Sequence, residues 1–151
     1  MIDHIHQSNL IEDIDDHVAC EDSFKAWLFL ETLHDIAIAD LLKLHHMITR
    51  KQLGAGESGA YRTVDVTVGG RLCPEPFLAQ QMAYNWLLDM IDHKETLDPK
   101  EMHVRFEKIH PFVDGNGRTG RMLMWWHELQ LKKRPTLIKF NERQKYYEWF
   151  K

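Results

Sequence analysis

Cysteine is scarce in this 151-residue chain, which carries only Cys20 and Cys73. The two make neither a zinc-ligand spacing nor a disulfide framework, so both are expected as reduced thiols in a cytoplasmic protein. Five prolines and eight glycines are too few for a collagen-like or low-complexity chain. No apolar run approaches the ~20 residues that span a bilayer, so no membrane association is expected. Lys and Arg are missing from the first 24 residues, and MIDHIHQSNLIEDIDDH lacks the basic-then-apolar start of a secretory signal. A positive surplus is absent as well: 19 Lys and Arg stand against 23 Asp and Glu, a net charge of −4. That balance argues against direct nucleic-acid binding. Hydrophobic residues make up 44% of the chain and aromatics 11%, enough to bury a core in a single domain spanning residues 1–151.

The charges are unevenly placed. Seven acids precede Phe24 (Asp3, Glu12, Asp13, Asp15, Asp16, Glu21 and Asp22), whereas seven bases face only Glu142 and Glu148 between Lys132 and Lys151. Either these are two solvated faces, or the acidic head docks on a basic part of the same molecule.

The hydrophobic pattern predicts a mostly α fold with one hairpin. Phe24 to about Arg50, rich in Leu, Ile and Ala without proline or glycine, reads as one or two buried helices. Tyr61–Val68 alternates, Gly69-Gly70 turns and Arg71-Leu72-Cys73 returns, which signals a β-hairpin closed by Pro74 and Pro76. Helical spacing resumes from Leu78 to His93. Asp98, Pro99 and Glu101 then open a helix whose inward stripe is Met102, Phe106 and Ile109, and Pro111 ends it near His110. Arg121 to about Leu131 is helical again, and Asn141 with Gln144 reads as the cap of a last short helix.

The chemistry concentrates in His110-Pro-Phe-Val-Asp-Gly-Asn-Gly-Arg-Thr-Gly-Arg121. A glycine-rich turn opening a helix points backbone N–H groups at one spot, and the helix dipole adds positive potential there. Arg118 and Arg121, three apart, share a helix face as a phosphate clamp. Asn116 can donate to a phosphate oxygen. Asp114 is a hard oxygen ligand suited to Mg²⁺ shared with phosphates. His110 has the side chain whose pKa suits a general base near neutrality. Together these predict phosphoryl or nucleotidyl transfer. His103 with His110, and the neighbours His45 and His46, complete no zinc set.

The segment resembles the signature of the Fic (filamentation induced by cyclic AMP) family, His-x-Phe-x-Asp/Glu-Gly-Asn-Gly-Arg-x-x-Arg. His110, Phe112, Asp114, Gly115, Asn116, Gly117, Arg118 and Arg121 occupy its fixed positions. Tyr61-Arg62 with the hairpin, and the pair Tyr146-Tyr147, are similar to the family's flap and C-terminal aromatic pair. The resemblance implies a compact helical bundle with a β-hairpin flap that transfers AMP from ATP to a Ser, Thr or Tyr hydroxyl of a target protein. It implies His110 as the base and Asp114 as the Mg²⁺ ligand. Gly115, Asn116 and Gly117 become the phosphate cradle, Arg118 and Arg121 the β- and γ-phosphate contacts, and Phe112 the loop's anchor. The flap residues Thr67, Val68, Gly69, Gly70, Arg71 and Leu72 would pair with the target's main chain, and Tyr146 or Tyr147 would line the adenine site.

Ser8-Asn-Leu-Ile-Glu12 is similar to the family's inhibitory motif, Ser/Thr-x-x-x-Glu followed by Gly or Asn. It implies that residues 1–22 form an inhibitory helix in which Glu12 pairs with Arg121 and blocks the γ-phosphate. Asp13 departs from the usual Gly or Asn. The alternatives within the resemblance are transfer of another phosphate-containing moiety, removal of AMP, and a non-catalytic nucleotide-binding module.

Overall fold

A computed structural model describes residues 1–151. Seven helices surround one hydrophobic core: α1 (Ile2–Ile11), α2 (His17–Glu31), α3 (Ile38–Thr49), α4 (Pro76–His93), α5 (Pro99–Ile109), α6 (Asn116–Gln130) and the short α7 (Arg143–Tyr147). A two-residue hairpin, β1 (Thr67–Val68) and β2 (Arg71–Leu72), lies between α3 and α4, antiparallel with Thr67 opposite Leu72. The expected class, mostly α with one hairpin, is what forms.

α6 is the axis of the molecule. From Arg118 to Glu128 every side chain is buried, including the five large apolar residues Met122, Leu123, Met124, Trp125 and Trp126. A helix apolar on all sides needs neighbours on all sides, and α1, α2, α3 and α5 supply them. Tryptophan N–H groups fix the neighbours in place: Trp126 donates to Leu33 O at 3.1 Å, Trp125 to Thr136 O at 2.9 Å, and Trp86 of α4 to Met102 O of α5 at 2.8 Å. α2 is tied to α3 by a two-pronged pair in which Arg50 donates to the Asp22 carboxylate at 2.5 and 3.0 Å. The hydrogen bond from Arg50 holds the Asp22 carboxyl below the usual carboxylate range.

Local signals account for most boundaries. Asp98 caps α5 by accepting from Glu101 N, with Pro99 in the first turn. Gly69 and Gly70 both adopt positive φ (56° and 79°), the conformation of a two-residue hairpin turn.

Other expectations need correction. The strand foreseen from Tyr61 collapses to two residues, because Arg62 spends its backbone and side-chain donors on Pro111 O, His110 O, Val64 O and Pro74 O instead of a ladder. α2 begins at His17, seven residues before Phe24, because Asp16 caps it by accepting from Val18 N and Ala19 N. Residues 1–22 are therefore not one inhibitory helix: they hold α1, a turn and the start of α2. α6 begins at Asn116 rather than Arg121, with Gly115 at φ 77° ahead of it. Asn141 does not cap α7; it lies in a 3-10 turn, Phe140–Glu142. The head does dock, but not on the basic tail. Its ion pairs beyond its own helices are Asp22 with Arg50 and Glu12 with Arg121, and the tail instead grips α1 through neutral groups. His4 Nε2 donates to Pro135 O at 3.0 Å, Phe140 N to Gln7 Oε1 at 2.8 Å, and Tyr147 O–H to Ile11 O at 3.4 Å.

The end of α1 also explains position 13. Ile14 N bonds to Asn9 O and Asp13 N to Leu10 O, a Schellman closure that leaves Asp13 left-handed at φ 56°. Gly or Asn enters that region at least penalty, and a carboxylate there also faces the negative end of the helix dipole. Asp13→Gly is therefore expected to stabilise the fold by roughly 0.5–1 kcal/mol. In thermal unfolding the midpoint should rise by about 1–3 °C; an unchanged or lower midpoint would contradict this account of the turn.

Candidate functional site

The loop between α5 and α6 is shaped from inside. Asn116 accepts from Phe112 N at 3.0 Å and donates to Phe112 O at 2.9 Å, closing the turn upon itself. Both ends of its buried side chain thus hold the loop, and one N–H of the side-chain amide is left without a partner in the fold. Phe112, fully buried, stacks on His45 with ring centres 3.8 Å apart and lies parallel to Tyr61 beyond. His45 accepts from Gly59 N–H at Nδ1, so its proton sits on Nε2, which donates to Asp114 O at 2.9 Å. Burial foremost pushes this imidazole down to about 4, keeping it neutral. Gly115 must be glycine twice over: φ is 77°, and a Cβ would approach Thr49 Cγ2 to 2.5 Å.

His110 follows α5 in a left-handed turn, φ 49°, at the rim of the cleft with its side chain 15% exposed. Its main-chain carbonyl accepts from Arg62 Nε at 2.8 Å, which fastens the hairpin segment beside it. Nδ1 is buried without a hydrogen-bond partner, whereas Nε2 is not among the buried unpaired atoms. Burial is the main influence lowering its pKa, so the ring is neutral at pH 7. Asp114 is exposed; one oxygen accepts from Gly115 N at 2.6 Å and the other is free.

The two arginines do not lie together as a solvated clamp. Arg118 is buried against α3, reaching Ile48 O at 3.4 Å, and its Nε has no partner. Burial pulls its pKa below the usual guanidinium value. Arg121 is 0% exposed, and four of its five N–H groups are hydrogen-bonded. It donates to Ser8 Oγ at 2.8 Å, Ser8 O at 3.0 Å, Tyr146 Oη at 3.0 Å and Glu12 Oε1 at 2.6 Å. Burial alone would lower its pKa, and Tyr146, Glu12 and Glu107 more than reverse this. The Glu12 carboxylate also lies directly over Gly117, where any side chain would collide with it. A carboxylate thus stands where the N-terminus of α6 and Arg121 converge to hold an anion.

Of the aromatic pair, Tyr146 is not free to line a nucleotide pocket. It is 3% exposed, and its hydroxyl joins Arg121 to His103 Nε2 at 2.9 Å. Tyr147 is 40% exposed next to Ile11. Thr67, Val68, Arg71 and Leu72 are all exposed with free strand edges, flanking His110 through Arg62. No three His, Cys, Asp or Glu side chains gather as a metal site, so a cation here would lean on a ligand's own oxygens.

Sequence reasoning missed His45, His103 and Glu107 and undervalued Arg62. His45 lies 69 residues from Asp114, and no spacing rule announces such a pairing.

Comparison with known proteins agrees with this geometry. A family model described as the Fic/DOC family matches residues 35–127. The chain is 37% identical over 124 residues to the protein adenylyltransferase Fic of Drosophila melanogaster, covering 78% of this chain and 25% of that protein. It is 37% identical over 130 residues to the protein of the same name from Nematostella vectensis, covering 80% and 29%. The chain spans about a quarter of the length of these relatives. Among solved structures, Fic-1 from C. elegans superposes with a TM-score of 0.75 at 25% identity over 87% of this chain and 42% of that one. A Fic domain containing signaling protein from Bacteroides thetaiotaomicron shares the fold with a TM-score of 0.78 at 16% identity, covering 97% and 69%.

The His45 clamp sets an acid limit. An unfolded histidine titrates near 6.5, whereas His45 in the fold does so at about 4. The depressed value means its stabilisation is complete above pH 6.5 and is lost as pH falls toward 4. Urea midpoints should therefore fall through that window. In His45→Gln the decline should be shallower by up to about 1.4 kcal/mol per pH unit. Parallel profiles for the two proteins would contradict the clamp.

Proposed function

The chain belongs to the Fic/DOC family, and on that footing we propose that it transfers AMP from ATP to a hydroxyl side chain of a target protein while its own α1 restrains the reaction. The carrying observation is the Glu12 carboxylate seated over Gly117 and on Arg121, an acid occupying a place built for a phosphate. The relatives named as protein adenylyltransferases support the reaction class.

In this reading Nε2 of neutral His110 takes the proton of the incoming hydroxyl. The oxygen attacks the α-phosphorus, and pyrophosphate leaves. The N–H groups of the Gly115–Gly117 turn and the α6 dipole hold the phosphates. Arg118, with an unpartnered Nε, and Arg121, once released from Glu12, neutralise the β- and γ-phosphates. Asp114 fits Mg²⁺: one exposed carboxylate oxygen stands free beside an anion cradle, the kind of donor this ion combines with nucleotide oxygens. Bound there, Mg²⁺ would neutralise charge on the phosphates. The edge of Thr67–Leu72 pairs with an extended target segment and brings its hydroxyl to His110. Tyr147 is the member of the aromatic pair left to meet the adenine.

Glu12 opposes this by competing for Arg121. Charge-assisted hydrogen bonds contribute roughly 1.5–3 kcal/mol, and the 35% exposure of the Glu12 side chain favours the lower half of that range. Each 1.4 kcal/mol shifts the competent population about tenfold.

Two outcomes test the reading. Glu12→Gly should raise AMP incorporation from α-labelled ATP, measured as mass added to target or to the enzyme itself, by about tenfold to fortyfold. Adding Arg121→Ala should abolish the gain, and equal rates for the parent and Glu12→Gly would refute the restraint. In the Glu12→Gly background, His110→Ala should reduce transfer by about 10²–10⁴-fold, with ATP binding retained in calorimetry. Transfer of γ-label instead of α-label would replace the AMP reading with phosphate transfer.

A further inference from the structure

Beneath the cleft lies a carboxyl group that nothing above employs. Glu107, on the last turn of α5, is 13% exposed in its side chain, and neither of its oxygens makes a hydrogen bond. Unpaired buried carboxyls are unfavourable and call for a reason. The surroundings have been cleared for this one. Gly120 of α6 faces it, and a Cβ there would come within 2.7 Å of both Glu107 Oε1 and His103 Nδ1. Any larger residue would expel the carboxyl, so the missing side chain at position 120 makes the room. Arg121 and Glu12 exert charge on it from α6 and α1, and burial above all pushes its pKa up to about 8.

The remaining neighbour is the proposed base. Glu107 Oε2 lies 3.9 Å from Nδ1 of His110, a buried nitrogen with no hydrogen bond in the fold, and the main-chain carbonyl of the same Glu107 is the other acceptor near the ring. If Nδ1 holds no proton, Nε2 carries it and the ring cannot accept one from a substrate. A base acting at Nε2 needs an acceptor that keeps a proton on Nδ1. Hydrogen bonds of this kind are often long before substrate binds and tighten in the reacting complex. A ring tilt of about 1 Å closes this one to bonding range.

Resting on the transfer reaction proposed above, we infer that Glu107 is the positioning residue of His110: its carboxyl oxygen accepts the Nδ1 proton and holds the ring with Nε2 free to act as base. A neutral carboxylic acid serves as well as a carboxylate, since either offers an acceptor oxygen, and the side-chain oxygen of glutamine does the same.

The test separates acceptor from bulk and tautomer from turnover. In the otherwise unaltered chain, ¹⁵N-histidine spectra should show His110 protonated at Nδ1 with Glu107 or with Glu107→Gln, and shifted toward protonation at Nε2 with Glu107→Met. In the Glu12→Gly background, Glu107→Met should lower kcat by about tenfold or more with KM for ATP within about twofold. Glu107→Gln should restore kcat to within about threefold. Should Met disturb the packing, Glu107→Ala makes the same deletion with less bulk. If the acceptor-free variant keeps both the Nδ1 tautomer and the parent kcat, the main-chain carbonyl of Glu107 orients the ring unaided and the inference is overturned. Absence of AMP transfer from the Glu12→Gly parent would tell against the reaction alone, because the tautomer spectra decide the role of Glu107 without it.

Discussion

A guanidinium with no access to water is the constraint around which this molecule is arranged. Arg121 sits on a helix surrounded on all sides, and a buried cation is tolerable only with its donors occupied and its charge matched. Four bonds meet most of that demand: two come from Ser8 of α1, one from Glu12 at its end and one from Tyr146. The position and ending of α1 follow from it. Ser8 must lie under the guanidinium, and the helix must stop at Ile11 for Glu12 to turn inward. The left-handed residue 13 is the geometric result of that stop.

The loop facing this arginine is held by groups that do no chemistry. Asn116 ties the turn to its own backbone, Phe112 packs between aromatic rings, and His45 fastens Asp114 O to Gly59 N–H. Arg62 joins the same assembly from the hairpin side. With these tied down, the free atoms of the loop are few: Nε2 of His110, one oxygen of Asp114, one side-chain N–H of Asn116 and the N–H groups at the start of α6. Such division between fixed frame and free atoms is what positioning and charge stabilisation require, because neither leaves room for reorganisation during reaction.

How much of this was legible in the sequence depended on distance along the chain. The α5 cap at Asp98, the hairpin turn at Gly69-Gly70 and the inward stripe of Met102, Phe106 and Ile109 are local, and local rules read them correctly. The loop from His110 to Arg121 was legible because its parts are contiguous. Glu12 with Arg121 was reachable only through family resemblance, since periodicity carries no information on a pairing 109 residues apart. His45, His103 and Glu107 went unread because a histidine or glutamate at a helical position looks the same whether its neighbour is water or Phe112. Asn116 and Tyr146 were assigned to ligands for a related reason. A polar side chain near a glycine turn suggests an external partner, and burial then gave both internal ones as well.

The grip of the two chain ends on each other has a kinetic meaning. Gln7 meets Phe140, His4 meets Pro135 and Ile11 meets Tyr147, contacts separated by 131 to 136 residues. Contacts closing the longest loops form late, after shorter-range pairs such as α5 with α6 have reduced the entropy still to be lost. α1 is held by these contacts together with its packing on α2 and α6. α1 carries both Ser8 and, at its end, Glu12, so uncovering Arg121 breaks all three of their bonds together, while the His110 loop keeps its own ties through His45 and Asn116.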